Sequence, residues 1–287
     1  MSTSTECFVF SDKKVEILNP LNGEAPQPSQ QKMRYEFKYL VPSDQYTALR
    51  SALIPFLVPD AFAALQRDGM YTVRSIYFDT PSFDMYHTKI DGVAHRMKVR
   101  LRGYNWGQDG GPVFLEIKRK YEGPILKNRS ATSYENVCAL FRPGANFDDF
   151  AAEIRSPDNA RRFFYQILSR NLRPVVNVIY ERMPFLGKHT DLENDFRVTF
   201  DLHLRSVGYP QVTSLFDETG ATFAYPGFFI LEVKFNQFCP AWIKPILEDF
   251  QMRKEPASKY VGTIMTNPFI NPHRRGEALT KGRMRGV

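Results

Sequence analysis

Five short segments of the chain alternate charged and apolar residues with a period of two, and their charges suit the binding of phosphate. They occupy 34–38, 98–102, 115–118, 197–201 and 231–234. Successive side chains of a β-strand point to opposite faces, so each segment predicts a strand with one ionic and one apolar face. One such strand is typical of a sheet whose charged face meets water. The repeated acid and base residues at i, i+2 spacing favour instead a closed barrel with a charged lumen.

The predicted ionic faces carry more bases than acids. In a partly desolvated lumen, unpaired charge destabilises a fold by roughly several kcal/mol per ion, so this surplus predicts an anionic ligand. Guanidinium groups suit bidentate phosphate contacts, and ammonium groups act as point charges. The bases are Lys38, Lys98, Arg100, Arg102, Lys118, Arg182, Arg197 and Lys234, and the acids are Glu36, Glu116, Asp201 and Glu232.

The acids are poor neighbours for phosphate unless a hard divalent cation lies between them, as in many phosphoryl-transfer sites. Glu36, Glu116 and Glu232 therefore predict a metal-assisted triphosphate site. An alternative is that these glutamates only pair with bases on adjacent strands.

Several common site motifs are absent from the sequence. It contains no GxxxxGK[ST], GxGxxG, HExxH or GxSxG, which removes the usual support for P-loop, dinucleotide, zincin and serine-hydrolase functions. The five histidines have no ligand spacing, and the three cysteines include no CxxC pair. Neither a disulfide framework nor a zinc site is indicated.

Composition predicts one folded domain between two polar ends. The chain has 287 residues, of which 43% are hydrophobic, enough for one large domain or two small ones with a substantial core, and the single run of segments favours one. No apolar run approaches the roughly 20 residues that span a bilayer, and the start does not resemble a signal peptide, so we expect a cytoplasmic protein. The polar segment 1–31 is expected to be disordered, 32–271 to form the domain, and 272–287 to be a basic tail that carries +4 of the net charge of +7.

Hydrophobic periodicity predicts an α+β fold in which helices cover the apolar outer face of the barrel. A helix start is expected at 42–44, and turns are expected at 91–92 and 107–111. The predicted helices cover 134–141, 161–172 and 241–253, and the predicted strands, besides the first, cover 74–79, 98–102, 113–120, 175–182, 197–204 and 228–235.

Eight segments occur in a recognisable order: RYEFKY at 34–39, SIYFDT at 75–80, MKVRLRGY at 97–104, FLEIK at 114–118, YER at 180–182, FRVTFD at 196–201, ILEVK at 230–234 and SKY at 258–260. This order resembles the VTC domain, the polyphosphate polymerase domain of the triphosphate tunnel metalloenzyme (CYTH-like) superfamily. The resemblance covers about 33–265. It implies an antiparallel tunnel of about eight strands that binds a nucleoside triphosphate and threads the product chain.

The resemblance also implies roles for individual residues. Glu232 matches the metal-binding glutamate of the family, with Glu36 or Glu116 assisting, and the metal is expected to be Mn²⁺ or Mg²⁺. Tyr180 and Ser258 match positions near the phosphates, while Lys89 and Lys127 match the tunnel mouth. Lys98 and Lys234 are expected to bind substrate because they lie on the ionic faces of predicted strands. The phosphate ligands implied by the motifs are Lys38, Arg100, Arg102, Lys118, Arg182, Arg197 and Lys259.

One departure from the superfamily pattern is informative. Tunnel triphosphatases and cyclases carry Glu-x-Glu-x-Lys on the first strand, whereas this chain has Arg34, Glu36 and Lys38 at these positions. The change removes a metal ligand and adds a phosphate ligand, which favours holding a phosphate chain over hydrolysis. The chain resembles the stand-alone prokaryotic form, without the SPX domain or membrane helices of eukaryotic subunits, so a membrane location would require a membrane-protein partner.

The predicted reaction is transfer of the γ-phosphate of ATP to pyrophosphate or to a growing polyphosphate chain, without a protein nucleophile. A tunnel triphosphatase or polyphosphatase is one alternative, and a non-catalytic polyphosphate or nucleotide sensor is another. Nucleic-acid binding is not expected, because no RNP motif is present and most aromatic residues fall on apolar helical faces.

Overall fold

The computed structural model describes 35–105, 111–121, 125–188, 195–254, 257–270 and residue 272. The predicted disordered segment 1–31 lies outside the described residues, as does the basic tail apart from Pro272. Arg34 of the first motif and most of the predicted turn at 107–111 also lie outside them.

Ten antiparallel strands form one sheet, and every predicted strand is present, two of them, 113–120 and 228–235, with the predicted bounds. The five segments that alternate charged and apolar residues all lie within strands, apart from Arg34, which lies outside the described residues. The strands are β1 Tyr35–Pro42, β2 Leu57–Pro59, β3 Tyr71–Asp79, β4 Arg96–Tyr104, β5 Val113–Lys120, β6 Ile125–Thr132, β7 Arg173–Gly187, β8 Arg197–Gly208, β9 Thr222–Phe223 and β10 Phe228–Phe235.

The sheet is open, which corrects the predicted closed barrel. Eight strands lie in the order β1-β10-β8-β7-β3-β4-β5-β6, while β2 pairs with β7 and β9 with β8. Among the described residues, no backbone pairing joins β1 to β6. Alternation determines which face of a strand is ionic but not which edges pair, so closure did not follow from it.

The sheet nevertheless curves until side chains of distant strands interact. Lys118 of β5 is within electrostatic range of Glu36 and Lys38 of β1, and Lys98 of β4 is within range of Lys38. We call this concave ionic face, formed by β1, β3–β8 and β10, the cradle. A tunnel is compatible with this curvature.

Helices cover the outer face of the sheet, as predicted. The expected helix start at 42–44 corresponds to a short 3₁₀ turn, Ser43–Gln45, followed by α1. No helix in the described part of the chain is long and apolar enough to cross a bilayer. The helices are α1 Tyr46–Leu53, α2 Ala61–Ala64, α3 Asp84–Ile90, α4 Tyr134–Leu140, α5 Pro157–Ser169, α6 Ile243–Asp249 and α7 Lys259–Thr266.

Two apolar cores lie between the helices and the outer face. Leu49 of α1 and Ile243 of α6 pack in the same core as Phe200 of β8, and all three are fully buried. Phe163 of α5 packs with Leu101 of β4 in the second core. Burial of each such side chain stabilises the fold by about 1.5–3 kcal/mol, so the outer face holds the helices while the cradle stays polar.

A third core fills part of the inner side. The side chains of Tyr260 and Ile264 on α7 are buried there against Tyr77 of β3, Val176 and Tyr180. The strand signals did not predict α7, α3 or β6. The predicted turn at 91–92 is present, with Gly92 at φ 70°, but α3 precedes it in what was expected to be a direct strand connection.

A buried carboxylate fixes α3 and α7 to β3. Asp79 accepts hydrogen bonds from the backbone N–H groups of Thr80, Met85 and Tyr86 at 2.8, 2.9 and 3.0 Å. Its Oδ2 also accepts one from the hydroxyl of Tyr260 at 2.5 Å. The carboxylate satisfies donors at the start of α3, which are otherwise unpaired at a helix N-terminus.

Candidate functional site

The alternation on β4 is borne out residue by residue. Lys98, Arg100 and Arg102 are partly exposed on the cradle, whereas Val99 and Leu101 are fully buried on the outer face. The ionic face is therefore the concave one, and its side chains converge.

Glu116 of β5 lies at the centre of one cluster in the cradle. Its Oε2 accepts from Arg100 Nε at 2.7 Å, and its Oε1 contacts Lys127 Nζ at 3.1 Å and Arg129 Nε at 3.3 Å. Arg102 Nε lies 4.0 Å from Oε2. Burial raises the pKa of Glu116, but Arg100, Arg102 and Lys127 together hold it well below its usual range. Glu116 is thus an ionised carboxylate that orients the bases around it.

A second cluster joins β7, β8, β10 and α7. Arg182 donates to both oxygens of Asp201, at 2.7 and 2.8 Å, and lies 3.5 Å from Glu232 Oε2. Lys259 Nζ lies 2.5 Å from Asp201 Oδ2 and 3.4 Å from Glu232 Oε2. Lys234 Nζ contacts Glu232 Oε1 at 2.6 Å. The register pairs Arg182 with Asp201 across β7 and β8, which brings these charges together.

Lys98 and Lys118 lie between the two clusters, and neither forms an ion pair with a described residue. Burial lowers the pKa of Lys98 to about 7, and Lys38, Lys118 and Arg100 add to this effect, while Tyr77 opposes it. Lys98 donates to the hydroxyl of Ser258 at 3.0 Å. Neither lysine thus has a carboxylate within ion-pair distance among the described residues, and cations surround both.

Lys118 is open to solvent, yet protein surrounds it on the concave face. Burial lowers its pKa, as do the nearby cations Lys38 and Arg100, whereas Glu36 and Glu232 raise it. The side chain of Lys118 thus reaches solvent inside the concave face, where the surrounding protein still lowers its pKa.

The two predicted mouth residues occupy different surroundings. The pKa of Lys89 on α3 is lowered by burial and by Arg96, Lys38 and Lys120, so Lys89 belongs to a cationic group at one end of the cradle. Lys127 contacts Glu116 instead.

Three further predicted residues are placed at the edges of the clusters. Tyr180 lies beneath two cations, with its ring centroid 5.2 Å from Arg182 Cζ and 5.0 Å from Lys259 Nζ. Ser258 accepts from the N–H of Val261 and so caps α7. Arg197 is 37% exposed and donates to Asp60 Oδ2 at 2.9 Å, outside the Asp201 cluster.

Tyr77 and Ser75 on β3 contact two arginines of the cradle and were not singled out from the sequence. Arg100 Nη1 donates to the hydroxyl of Tyr77 at 2.9 Å, and Arg102 Nε donates to Ser75 Oγ at 3.2 Å. Burial raises the pKa of Tyr77, but Arg100, Lys98 and Arg102 lower it to about 7. Both residues lie in the SIYFDT segment, and their i, i+2 spacing was the available signal.

Two of the three predicted metal ligands come together. Glu36 and Glu232 lie close together, and Lys259 and Lys234 hold the pKa of Glu232 well below its usual range despite burial. Glu116 does not join them, and the described residues contain no group of three acidic, histidine or cysteine side chains that could hold a metal. Two carboxylates still fit a Mg²⁺ or Mn²⁺ ion, because such ions commonly take one or two carboxylates together with phosphate and water oxygens. Glu36 is also bound to Lys38 Nζ at 2.5 Å.

A curved antiparallel sheet with helices on its outer face and clustered bases in its cradle defines an α+β protein with a concave basic site. The chain belongs to the VTC domain family, whose model matches 33–266. This match spans the described sheet and all the residues of both clusters.

Two named relatives are similar over most of the chain. The vacuolar transporter chaperone complex subunit 4 of Schizosaccharomyces pombe is 24% identical over 86% of this chain and 39% of its own length. The protein of the same name from Trypanosoma brucei brucei is 24% identical over 83% of this chain and 35% of its own length. The chain thus matches little more than a third of each relative.

Proposed function

We propose that this chain is an ATP:polyphosphate phosphotransferase that extends polyphosphate within the cradle. The observation that carries the proposal is the position of Lys98 and Lys118, which form no described ion pair and lie beside Arg100 and Lys38. Cations that repel one another in a protein-lined space are stabilised by a polyanion. The membership in the VTC domain family supports the same chemistry.

The reaction needs no protein nucleophile. A terminal oxygen of pyrophosphate or of the growing chain attacks the γ-phosphorus of ATP in line, a P–O bond to the new chain forms, and the bond to ADP breaks. Arg100 and Arg102 from one side and Arg182 and Lys259 from the other bind the phosphate oxygens. Fixed cations that face the transferring group stabilise its transition state.

Glu232 and Glu36 would hold a divalent ion, which would neutralise charge on the triphosphate oxygens. Around them, Lys234 and Lys259 fix the position of the Glu232 carboxylate. Arg182 is itself fixed by Asp201. The acidic side chains thus hold the basic ones in place before substrate binds.

The surplus of bases also favours a phosphate acceptor over water. A polyanion is held by several ammonium and guanidinium groups at once, whereas water gains nothing from them. The relatives are named as subunits of a complex, which supports a protein partner for this chain as well.

The test is incubation of the purified chain with ATP and Mn²⁺, with and without pyrophosphate, and separation of the products by length on a gel. Chains longer than the primer, with ADP released in step, are expected. Free phosphate as the sole product would replace the proposal with a hydrolase. Bound but intact ATP would replace it with a sensor.

A further inference from the structure

A row of aromatic side chains crosses the inner face at one end of the cradle. The ring centroids of Phe62 and Tyr71 are 5.2 Å apart, those of Tyr71 and Tyr104 are 5.7 Å apart, and those of Tyr104 and Phe114 are 5.8 Å apart. We call these four residues the aromatic strip. Phe62 is 48% exposed and the other three are partly exposed, so solvent reaches the strip.

The strip directly continues the phosphate-binding surface. Tyr104 lies two residues beyond Arg102 on β4, and Phe114 lies two residues before Glu116 on β5. Tyr71 pairs with Arg182 in the β3–β7 register. Two residues of a strand span about 7 Å, roughly the distance that a ribose places between a nucleobase and its phosphates.

A guanidinium group adds to the stacking surface. Arg129 Cζ lies 3.6 Å from the ring centroid of Phe114, while Nε of the same side chain lies 3.3 Å from Glu116 Oε1. Planar guanidinium and aromatic groups are both surfaces on which nucleobases stack. The Arg129–Phe114 pair therefore joins a stacking surface to the ionic cluster around Glu116.

The opposite end of the same strands has a different character. There β4 and β5 carry Arg96 and Lys120, which pair in register and lie near Lys89. The cradle thus has an aromatic end and a cationic end. A nucleotide has the same polarity, with an aromatic base at one end and a charged chain at the other.

We propose that the aromatic strip is the nucleobase site of the donor nucleotide. This inference rests on the proposed function, and it sets the direction of the substrate. The base stacks at Tyr104 and Phe114, the triphosphate runs toward Arg100 and Lys118, and the product chain leaves past Lys89. Stacking explains base binding without base-specific hydrogen bonds.

The test compares binding of ATP and of inorganic tripolyphosphate by calorimetry in the full chain. Phe114→Leu keeps an apolar side chain but removes the ring on which Arg129 stacks, while Arg129 keeps its contact with Glu116. It is expected to weaken ATP binding about tenfold and to leave tripolyphosphate binding unchanged. Tyr104→Phe keeps the ring and is expected to retain the preference for ATP, while Tyr104→Leu is expected to lose it.

The matched control is Tyr121→Leu, which removes a ring that is 63% exposed at the cationic end and stacks on His95 at 3.9 Å. This variant is expected to bind both ligands like the wild type. Loss of ATP affinity in Tyr121→Leu but not in Phe114→Leu would place the base at the cationic end and overturn the proposed orientation of the nucleotide. Equal affinities of wild type and Phe114→Leu for ATP would overturn the base site alone, whereas failure of the wild type to bind either ligand would overturn the proposed function with it.

Discussion

The guanidinium of Arg182 and the carboxylate of Asp201 form a two-pronged ion pair, with N–O distances of 2.7 and 2.8 Å. Asp201 is completely buried and also contacts Lys259. Arg182 and Lys259 keep the pKa of Asp201 below its usual range although burial raises it. One buried acid therefore fixes two bases of the cradle, from β7 and from α7.

Asp201→Asn is expected to destabilise the fold by roughly 3 to 5 kcal/mol, because it leaves two cations without their buried counter-ion. Urea unfolding at neutral pH measures the effect. The control is Asp148→Asn, which removes an exposed acid that contacts Arg161 at 3.0 Å. Exposed pairs contribute at most about 1 kcal/mol, so equal losses in the two variants would contradict the structural role of Asp201.

The same pair predicts the acid limit of stability. A carboxylate whose pKa is lower in the folded state contributes stability that is fully present above its unfolded pKa, near 4. That stability is lost as the pH falls through the folded pKa of Asp201. We expect the unfolding free energy of the wild type to fall below about pH 4 more steeply than that of Asp201→Asn, and parallel curves would contradict this.

Lys118→Ala is expected to reduce chain synthesis by about 100-fold or more, the scale of losing one group that stabilises transition-state charge. It is expected to leave the unfolding free energy unchanged or higher, because Lys38 and Arg100 repel Lys118 in the free protein. Product gels and urea unfolding measure the two effects. Lys244→Ala, which removes an exposed lysine of α6, is the control and should retain activity. Normal synthesis by Lys118→Ala would contradict its place in the site.

Five strands, β1, β4, β5, β8 and β10, were predictable because each contains a segment of period-two alternation. The longer helices were predictable because their apolar stripes face the sheet. Two elements gave weaker signals. β6 carries polar residues on both faces, since Asn128 bonds Asn159 of α5 at 3.0 Å on its outer side. The seven-residue α3 is fixed by Asp79 from the preceding strand, not by a local capping motif.

The ionic residues of the site were predictable, but their partners depended on strand register. Glu116 was expected to hold a metal. The register pairs it with Arg100 on one side and Arg129 on the other, so it binds bases, as the alternative interpretation of the glutamates allowed. Alternation places a carboxylate on a face without giving its neighbours. The contact of Tyr77 with Arg100 could not be found for the same reason.

Ligand binding is expected to depend on pH through Lys98 and Tyr77, whose pKa values are both lowered to about 7. A bound polyanion favours the protonated forms, so binding takes up protons and weakens as the pH rises from about 7 to 9. Calorimetry with tripolyphosphate in buffers of different ionisation enthalpy measures the uptake. Lys98→Met is expected to reduce it, and the double variant Lys98→Met, Tyr77→Phe to abolish it. The groups that face this pair are Lys38, Arg100, Arg102, Lys118 and Tyr260.

Lys98 and Tyr77 also make the unfolding free energy depend on pH. Because both pKa values are lower in the folded state, that state binds fewer protons than the unfolded chain between about pH 7 and 10. The unfolding free energy is therefore expected to rise with pH on their account, and the rise should be smaller in the double variant. An identical pH dependence in wild type and variant would contradict the lowered pKa values.

The variant Glu232→Gln tests whether Glu232 binds a metal ion or only positions the neighbouring lysines. If Glu232 holds the divalent ion with Glu36, the variant should need about tenfold more Mn²⁺ for half-maximal synthesis, the scale seen when even an indirect metal contact is lost. Without metal it should bind tripolyphosphate more tightly than the wild type, because a negative charge beside Lys234 and Lys259 is gone. Glu248→Gln, an exposed acid of α6, is the control for both measurements. An unchanged Mn²⁺ requirement together with weaker tripolyphosphate binding would show that Glu232 only positions its lysines.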